Sequence, residues 1–145
     1  MDDASTALLH KVLRDNGYSI TAVRQAVCDL LWGRGPQSMR ELTVRSQGQL
    51  DRASLYRTLA LFEKLGLIQR VYIGWKYKIE LSDVLTHHHH HISCTRCGKI
   101  VALTHEDEVE QLLSRLAARH GFTATTHQLE IQGQCAVCTT SNTSG

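Results

Sequence analysis

The sequence is poor in features that mark several protein classes. One proline and ten glycines among 145 residues exclude a collagen-like chain, and 42% apolar residues are too many for a disordered one. No apolar run approaches the roughly 20 residues of a membrane span. Met1-Asp2-Asp3 is acidic where a secretory signal is basic, so a cytoplasmic location with no membrane partner is expected. A large charge excess is also missing, the net charge being +2. A chain of this length makes one domain or two small ones, and a domain of about 60–80 residues buries too little surface to be comfortable without a metal, a disulfide or a partner. In the cytosol, five cysteines argue for metal.

The charge is unevenly spread. Residues 1–82 hold 12 basic and 8 acidic side chains (+4), and residues 83–145 hold 4 basic and 6 acidic (−2), which together give the overall +2. The basic half therefore has the anionic partner. Its periodicity is helical. Leu8, Leu9, Val12 and Leu13 form a stripe that stops at Asn16-Gly17, and Val23, Val27, Leu30 and Leu31 form another after Thr21, an N-cap. Ser38 to Glu41 has the form of a capping box that opens a short helix, and Asp51 opens the next. In that helix Leu55, Leu59 and Phe62 share one face, while Arg52, Ala53, Tyr56 and Arg57 share the other, and Gly66 closes it. Strands around 67–72 and 76–81 follow, joined at Ile73-Gly74-Trp75. Helices ending in a helix-turn-helix and followed by a β-hairpin make a winged-helix module, whose last helix enters the major groove of DNA. Arg52 and Arg57 reach phosphates or guanine edges, and Tyr56 reaches a thymine methyl. Arg24, Ser54 and Lys76 complete the expected DNA-binding set.

The second half opens with five histidines, His87 to His91. A purification tag normally sits at a terminus, and this run is internal. On an extended strand alternate side chains point to opposite faces, so His88 pairs with His90 and His89 with His91, and one tract can serve two metal sites. Cys94-x-x-Cys97 and Cys135-x-x-Cys138 are two knuckles that together close a four-thiolate tetrahedral shell around Zn²⁺. Such a shell has no open position and is a poor catalyst. The 37 residues between the knuckles must fold to bring them together. They read as a strand over 99–103, a helix capped by Thr104 with Asp107 and striped by Val109, Leu112, Leu113 and Leu116, and a returning β segment over 123–133. This gives an α/β unit with an antiparallel sheet. Glu110 and His127 are placed where they can meet the histidine tract. Cys28 reads as a buried core thiol.

The order of these elements resembles the ferric uptake regulator family. Ser54-Leu55-Tyr56-Arg57-Thr58-Leu59, the hairpin, the histidine tract running into Cys94-x-x-Cys97-Gly98-Lys99, the helix ending at His120-Gly121, His127 and Cys135-x-x-Cys138 carry the likeness, from about Leu8 to Cys138. The resemblance implies an α+β, homodimeric metal-sensing repressor of palindromic operator DNA, with no enzymatic activity and no small-molecule substrate. It implies a winged-helix domain over 1–82, a hinge over 83–86, a dimerisation and metal-binding domain over 87–138 and a flexible tail over 139–145. Structural zinc is assigned to Cys94, Cys97, Cys135 and Cys138. A second site is implied for His88, His90, Glu110 and His127, and a regulatory interdomain site for Glu80, His89 and His91.

Several positions depart from the family pattern. Val23 precedes Arg24 where many relatives have proline, and Pro36-Gln37 stands where iron and peroxide sensors often have a histidine. The interdomain site thus lacks an obvious fourth ligand, leaving water, His10 or Asp83 to complete it. Where iron sensors often have aspartate this chain has His90, giving three imidazoles and one carboxylate, which resembles the zinc uptake regulators. Such a set suits Zn²⁺, whereas oxygen-rich six-coordinate sites suit Fe²⁺ and Mn²⁺. The expected function is zinc-dependent repression. An iron or peroxide sensor is the closest alternative; a zinc buffer would need no Tyr56/Arg57 face, and a zinc hydrolase using Glu110 as base would need a substrate pocket.

Overall fold

The computed structural model describes residues 1–104 and 106–140. The chain divides into two compact units, the first ending at His87 and the second starting at His88. The first contains α1 (Asp3–Asp15), α2 (Ala22–Leu31), α3 (Met39–Arg45), α4 (Arg52–Lys64) and an antiparallel hairpin of β1 (Ile68–Ile73) with β2 (Lys76–Leu81). Each of the three later helices starts at a residue that can cap it: the side chains of Thr21, Ser38 and Asp51 accept from the backbone N–H three residues on. Asp2 does the same for α1, bonding the Ser5 N–H at 2.8 Å, so that helix starts a turn and a half before its leucine stripe.

The apolar stripes meet in one core. Leu9, Leu13, Val27, Leu42, Leu55, Phe62 and Leu67 are wholly buried in it, with Cys28. Leu85, in the expected hinge, is also buried there. Gln37 pairs with Ile79 through two backbone hydrogen bonds of 2.7 and 2.8 Å and so adds a one-residue third rung beside the hairpin. Ile73 lies opposite Lys76, which leaves a two-residue turn, Gly74-Trp75, with Gly74 at φ 58°.

Ser38 and Glu41 form a reciprocal capping box. Ser38→Ala is expected to lower the first unit's stability by about 1 kcal/mol, the usual worth of an N-cap, measured by thermal melting. The Ser38 hydroxyl and N–H hold the Glu41 carboxyl below its ordinary range. That contribution is complete above the unfolded carboxylate value and fades as pH falls through the folded one, so the penalty should shrink in acid.

The second unit contains β3 (His90–Cys94), β4 (Ile100–Leu103), α5 (Asp107–Arg119), β5 (Glu130–Gly133) and α6 (Ala136–Thr140). Its sheet has the order β4-β3-β5. The expected antiparallel pairing is present between β3 and β4, but β5 lies parallel to β3, with Cys94 opposite Gly133. The reason is the metal knuckles. Each follows the end of its strand, so only parallel strands put both at the same edge of the sheet. The returning β segment is correspondingly short, confined to 130–133. The N-cap of α5 is Glu106 and makes no side-chain cap bond, so Thr104 does not cap it; Asp107, Glu108 and Glu110 instead place negative charge at the positive end of the helix dipole. Of the expected tail, Thr139 and Thr140 belong to α6, and residues 141–145 lie outside the described residues.

Candidate metal centres and nucleic-acid face

The two-residue period of an extended chain splits the histidine tract. The rings of His88 and His90 lie 4.7 Å apart on centroids, and those of His89 and His91 4.8 Å apart. His88 and His90 face α5 and the segment before β5, where Glu110 and His127 project. The ligand atoms of His88, His90, Glu110 and His127 all lie within 4.8 Å of one another. His88 Nε2 is 3.1 Å from His127 Nε2, and Glu110 Oε1 is 2.7 Å from His90 Nε2 and 3.3 Å from both His88 and His127 Nε2. An ion held tetrahedrally at about 2.0–2.1 Å separates its ligands by about 3.3 Å, so this quartet has the size of a first-row metal shell. Desolvation pushes the Glu110 carboxyl up, but the hydrogen bond with His90 and the facing His127 and His88 imidazoles outweigh it and hold it below the usual range.

At the other end of β3 the parallel pairing of β5 brings the knuckles together. Cys94, Cys97, Cys135 and Cys138 have all four sulfurs within 4.8 Å of one another, with Cys97 Sγ 3.8 Å from Cys135 Sγ. A tetrahedral ion at about 2.3 Å from sulfur sets a spacing of about 3.8 Å. The Cys135 N–H donates to Cys94 Sγ at 3.3 Å, and with the Cys97 and Arg96 N–H groups it lowers the Cys94 thiol to about 6. Hydrogen bonding from Cys135, then burial and the other thiols, pushes Cys138 up to about 12. One thiolate is thus favoured and four together need a cation. Cys28 takes no part: burial pushes it up to about 12, and its Sγ lies 3.4 Å from Met1 Sδ in the first unit.

In the first unit α4 buries Leu55, Thr58, Leu59 and Phe62, which leaves Arg52, Tyr56 and Arg57 exposed. The Arg52 guanidinium lies 5.5 Å from the Tyr56 ring centroid and 3.4 Å from its hydroxyl, and Arg57 donates to Ser54 Oγ at 3.3 Å. These contacts align the polar tips along one outward helix face. Lys76 is exposed beside the hairpin turn, while Arg24 stacks at 5.5 Å on Tyr18 and donates to the Ser19 carbonyl.

The sequence profile of the ferric uptake regulator family matches residues 15–132. The chain belongs to that family. It is 31% identical to the peroxide-responsive repressor of Staphylococcus saprophyticus over 132 residues, covering 87% of this chain and 86% of that one. It is 27% identical to the ferric uptake regulation protein of Neisseria meningitidis over 134 residues, covering 87% and 90%. The crystal structure of the Vibrio cholerae ferric uptake regulator matches with a TM-score of 0.70 at 27% identity, over 87% of this chain and 98% of that one. Ferric uptake regulator proteins are metal-responsive transcription regulators rather than enzymes, built from a winged-helix DNA-binding domain and a dimerisation domain. Among the described residues, no helix is long and apolar enough to cross a membrane.

Within this frame Gln37 has a structural occupation. It is buried, its amide donates to the Leu30 carbonyl at 3.2 Å, and its Oε1 accepts from Arg45. Its polar ends are thus engaged within the first unit. Glu80, also buried, accepts from Gln69 at 2.8 Å across the hairpin, and His10 Nε2 lies 3.2 Å from Gln25 Oε1. Sequence reasoning missed Arg96, whose guanidinium donates to the Cys138 carbonyl at 2.6 Å and so ties one knuckle to the other. Its position between Cys94 and Cys97 was the available signal.

Proposed function

We propose that the protein is a zinc-responsive, homodimeric repressor that binds palindromic operator DNA when its regulatory site is filled. The metal choice rests on imidazole-rich donor sets at both sites, three imidazoles and one carboxylate in the His88/His90/Glu110/His127 quartet and two imidazoles with one carboxylate in Glu80, His89 and His91, which suit Zn²⁺ better than Fe²⁺ or Mn²⁺. Structural zinc belongs to the four cysteines. A bound ion supplies positive charge that neutralises the thiolates or carboxylate and fixes the imidazoles in one geometry. Arg57 and Tyr56 read the major groove, Ser54 orients Arg57, and Arg52, Arg24 and Lys76 hold phosphates.

Homodimerisation is supported by the apolar surface of the second unit. None of the α5 residues is buried, and Leu112 and Leu116 are 57% and 48% exposed. Ile92, on β3, is paired with Val101 on one side and Ile131 on the other, and this exposed row lines a groove of about 230 Å³. A second copy of the chain covers these surfaces. The two winged-helix units then present two recognition helices to a two-fold symmetric site.

Glu80 comes from the first unit and His89 and His91 from the second, so we assign regulation to these three residues. Ligands drawn from both sides of the unit boundary are engaged together only when the winged-helix unit is fixed. A set of this kind has different free energies in free and fixed states, which is what shifts an equilibrium. The test is selection of duplexes from a random pool with the full chain under buffered Zn²⁺, Fe²⁺ or Mn²⁺. The expected result is enrichment of an AT-rich palindrome with Zn²⁺ at the lowest free concentration. No enrichment, or the same enrichment in chelator, would refute the reading.

A further inference from the structure

The two faces of the second unit's sheet differ in chemistry. One carries the exposed row of Ile92, Val101 and Ile131. The other carries His91 and Ser93 of β3, paired in register with Glu130 and Gln132 of β5. Burial along β5 runs against residue type: Glu130 is half-buried, whereas Ile131 beside it is 43% exposed. His91 is buried, and its two neighbours across the sheet are Ala102 on β4 and Glu130 on β5. Ala102 has only a methyl group to offer. Glu130 is held in place, because the Gln128 side-chain amide donates to its Oε1 at 2.8 Å. Among the described residues, the clusters whose ligand atoms lie within 4.8 Å of one another do not include Glu130. It is thus a fixed carboxylate beside a metal-site histidine and outside the ligand set.

We propose that Glu130 is a positioning residue for the regulatory site, its carboxylate accepting the ring N–H of His91 that points away from the ion. This rests on the assignment of Glu80, His89 and His91 to regulation above. A histidine ligand binds a metal through one ring nitrogen and donates from the other. A carboxylate acceptor for that second N–H fixes the tautomer, orients the ring and raises the basicity of the ligating nitrogen. Paired strands lie about 4.8 Å apart and partners in register project from the same face, so a glutamate opposite a histidine has the reach for this contact. The half-burial of Glu130 fits the same role, since an N–H donor offsets the desolvation of a carboxylate. Gln128 restrains the carboxylate beforehand, so less side-chain freedom is lost when it engages the ring. The four-cysteine cluster sets the register on which this depends: Cys94 lies opposite Gly133, three rungs beyond the His91–Glu130 pair, and Cys135 follows directly after β5.

The test uses the full chain with its four-thiolate site loaded, titrated with zinc against a competing chelator. The ions bound beyond the four-thiolate one are sorted by which of them His91→Ala removes. Glu130→Ala should weaken that ion by about 10- to 100-fold, the usual cost of losing a carboxylate behind a metal-bound histidine, and leave the other ions and the thermal transition of the second unit unchanged. Glu130→Gln keeps an acceptor oxygen without the charge and should recover part of the loss. Proton NMR of the zinc-loaded protein gives a readout that a merely structural role would not move. The wild type should show a slowly exchanging imidazole N–H that is absent from His91→Ala; Glu130→Ala should lose it and Glu130→Gln should keep it. If Glu130→Ala binds the His91-dependent ion with wild-type affinity, or loses affinity yet keeps the protected proton, the positioning role is wrong while the regulatory assignment stands. If His91→Ala removes no ion, the assignment of Glu80, His89 and His91 falls and the role of Glu130 falls with it.

Discussion

Cys94→Ser, and separately Cys138→Ser, are expected to lose one metal ion per chain and to unfold most of the second unit. The reason is the composition of its interior. Among the described residues, its buried apolar side chains are Cys94 and Cys138 themselves, because Ile92, Val101, Leu112, Leu116 and Ile131 are all left exposed. Within a single chain the thiolate cluster takes the place of a hydrophobic core. A structural zinc ion contributes an apparent stabilisation of about 10–16 kcal/mol, which is comparable with or larger than the whole stability of a small domain. Removing one of four ligands also leaves the remaining sulfurs crowded without a full counter-charge. Elemental analysis after exhaustive dialysis should give one ion fewer than the wild type, and thermal melting should lose the second unit's transition. Cys28→Ala is the control: that thiol is buried in the first unit, and its loss should leave metal content unchanged. Full metal content in Cys94→Ser would overturn the four-thiolate assignment.

The second large effect separates sensing from structure. His89→Ala should give a folded dimer that keeps its four-thiolate ion yet gains no more than about twofold in DNA affinity when metal is added, against the 5- to 150-fold range usual for coupling between two sites. His127→Ala should weaken the His88/His90/Glu110 site and lose less of the response. That site draws all its ligands from the second unit, so its free energy is nearly the same whether or not the winged-helix unit is fixed, and it shifts the equilibrium little. Anisotropy titrations of both variants under buffered zinc distinguish the cases. Should His127→Ala abolish the response while His89→Ala behaves as wild type, the roles of the two sites are reversed.

The parts of this fold set by neighbouring residues were readable from the sequence. Thr21, Ser38 and Asp51 act on the N–H three residues away, so their patterns located α2, α3 and α4 directly. The division of the histidine tract into two pairs follows from the strand period alone. What required distant partners was harder to read. The parallel direction of β5 depends on Cys135 reaching Cys94 across 41 positions, and the 123–133 segment has no local signal of its direction. Yet the knuckles held the information. Two metal loops that each end a strand and share one ion cannot lie at opposite ends of a sheet. Glu110, on α5, and His127, just before β5, come to the tract only through the tertiary fold, so spacing could nominate them but not bring them within 4.8 Å. Thr104 and Asp107 matched a capping pattern, but the helix begins after Glu106, and its acidic first turn serves the dipole instead. Arg96 was missed because its acceptor is a backbone carbonyl 42 positions away, and only its place inside the first knuckle pointed to it.

Metal-dependent DNA binding is tested most directly by fluorescence anisotropy of one labelled palindromic duplex, titrated with the wild-type protein whose four-thiolate site stays loaded. Each titration is run at two free zinc levels set by a chelator buffer and then reversed in the same sample. Affinity should rise at the higher level by at least about fivefold, fall back when chelator is added, and rise again when zinc is restored. Equal affinity at both levels, in protein that retains its structural ion and binds the duplex, would contradict regulation by metal.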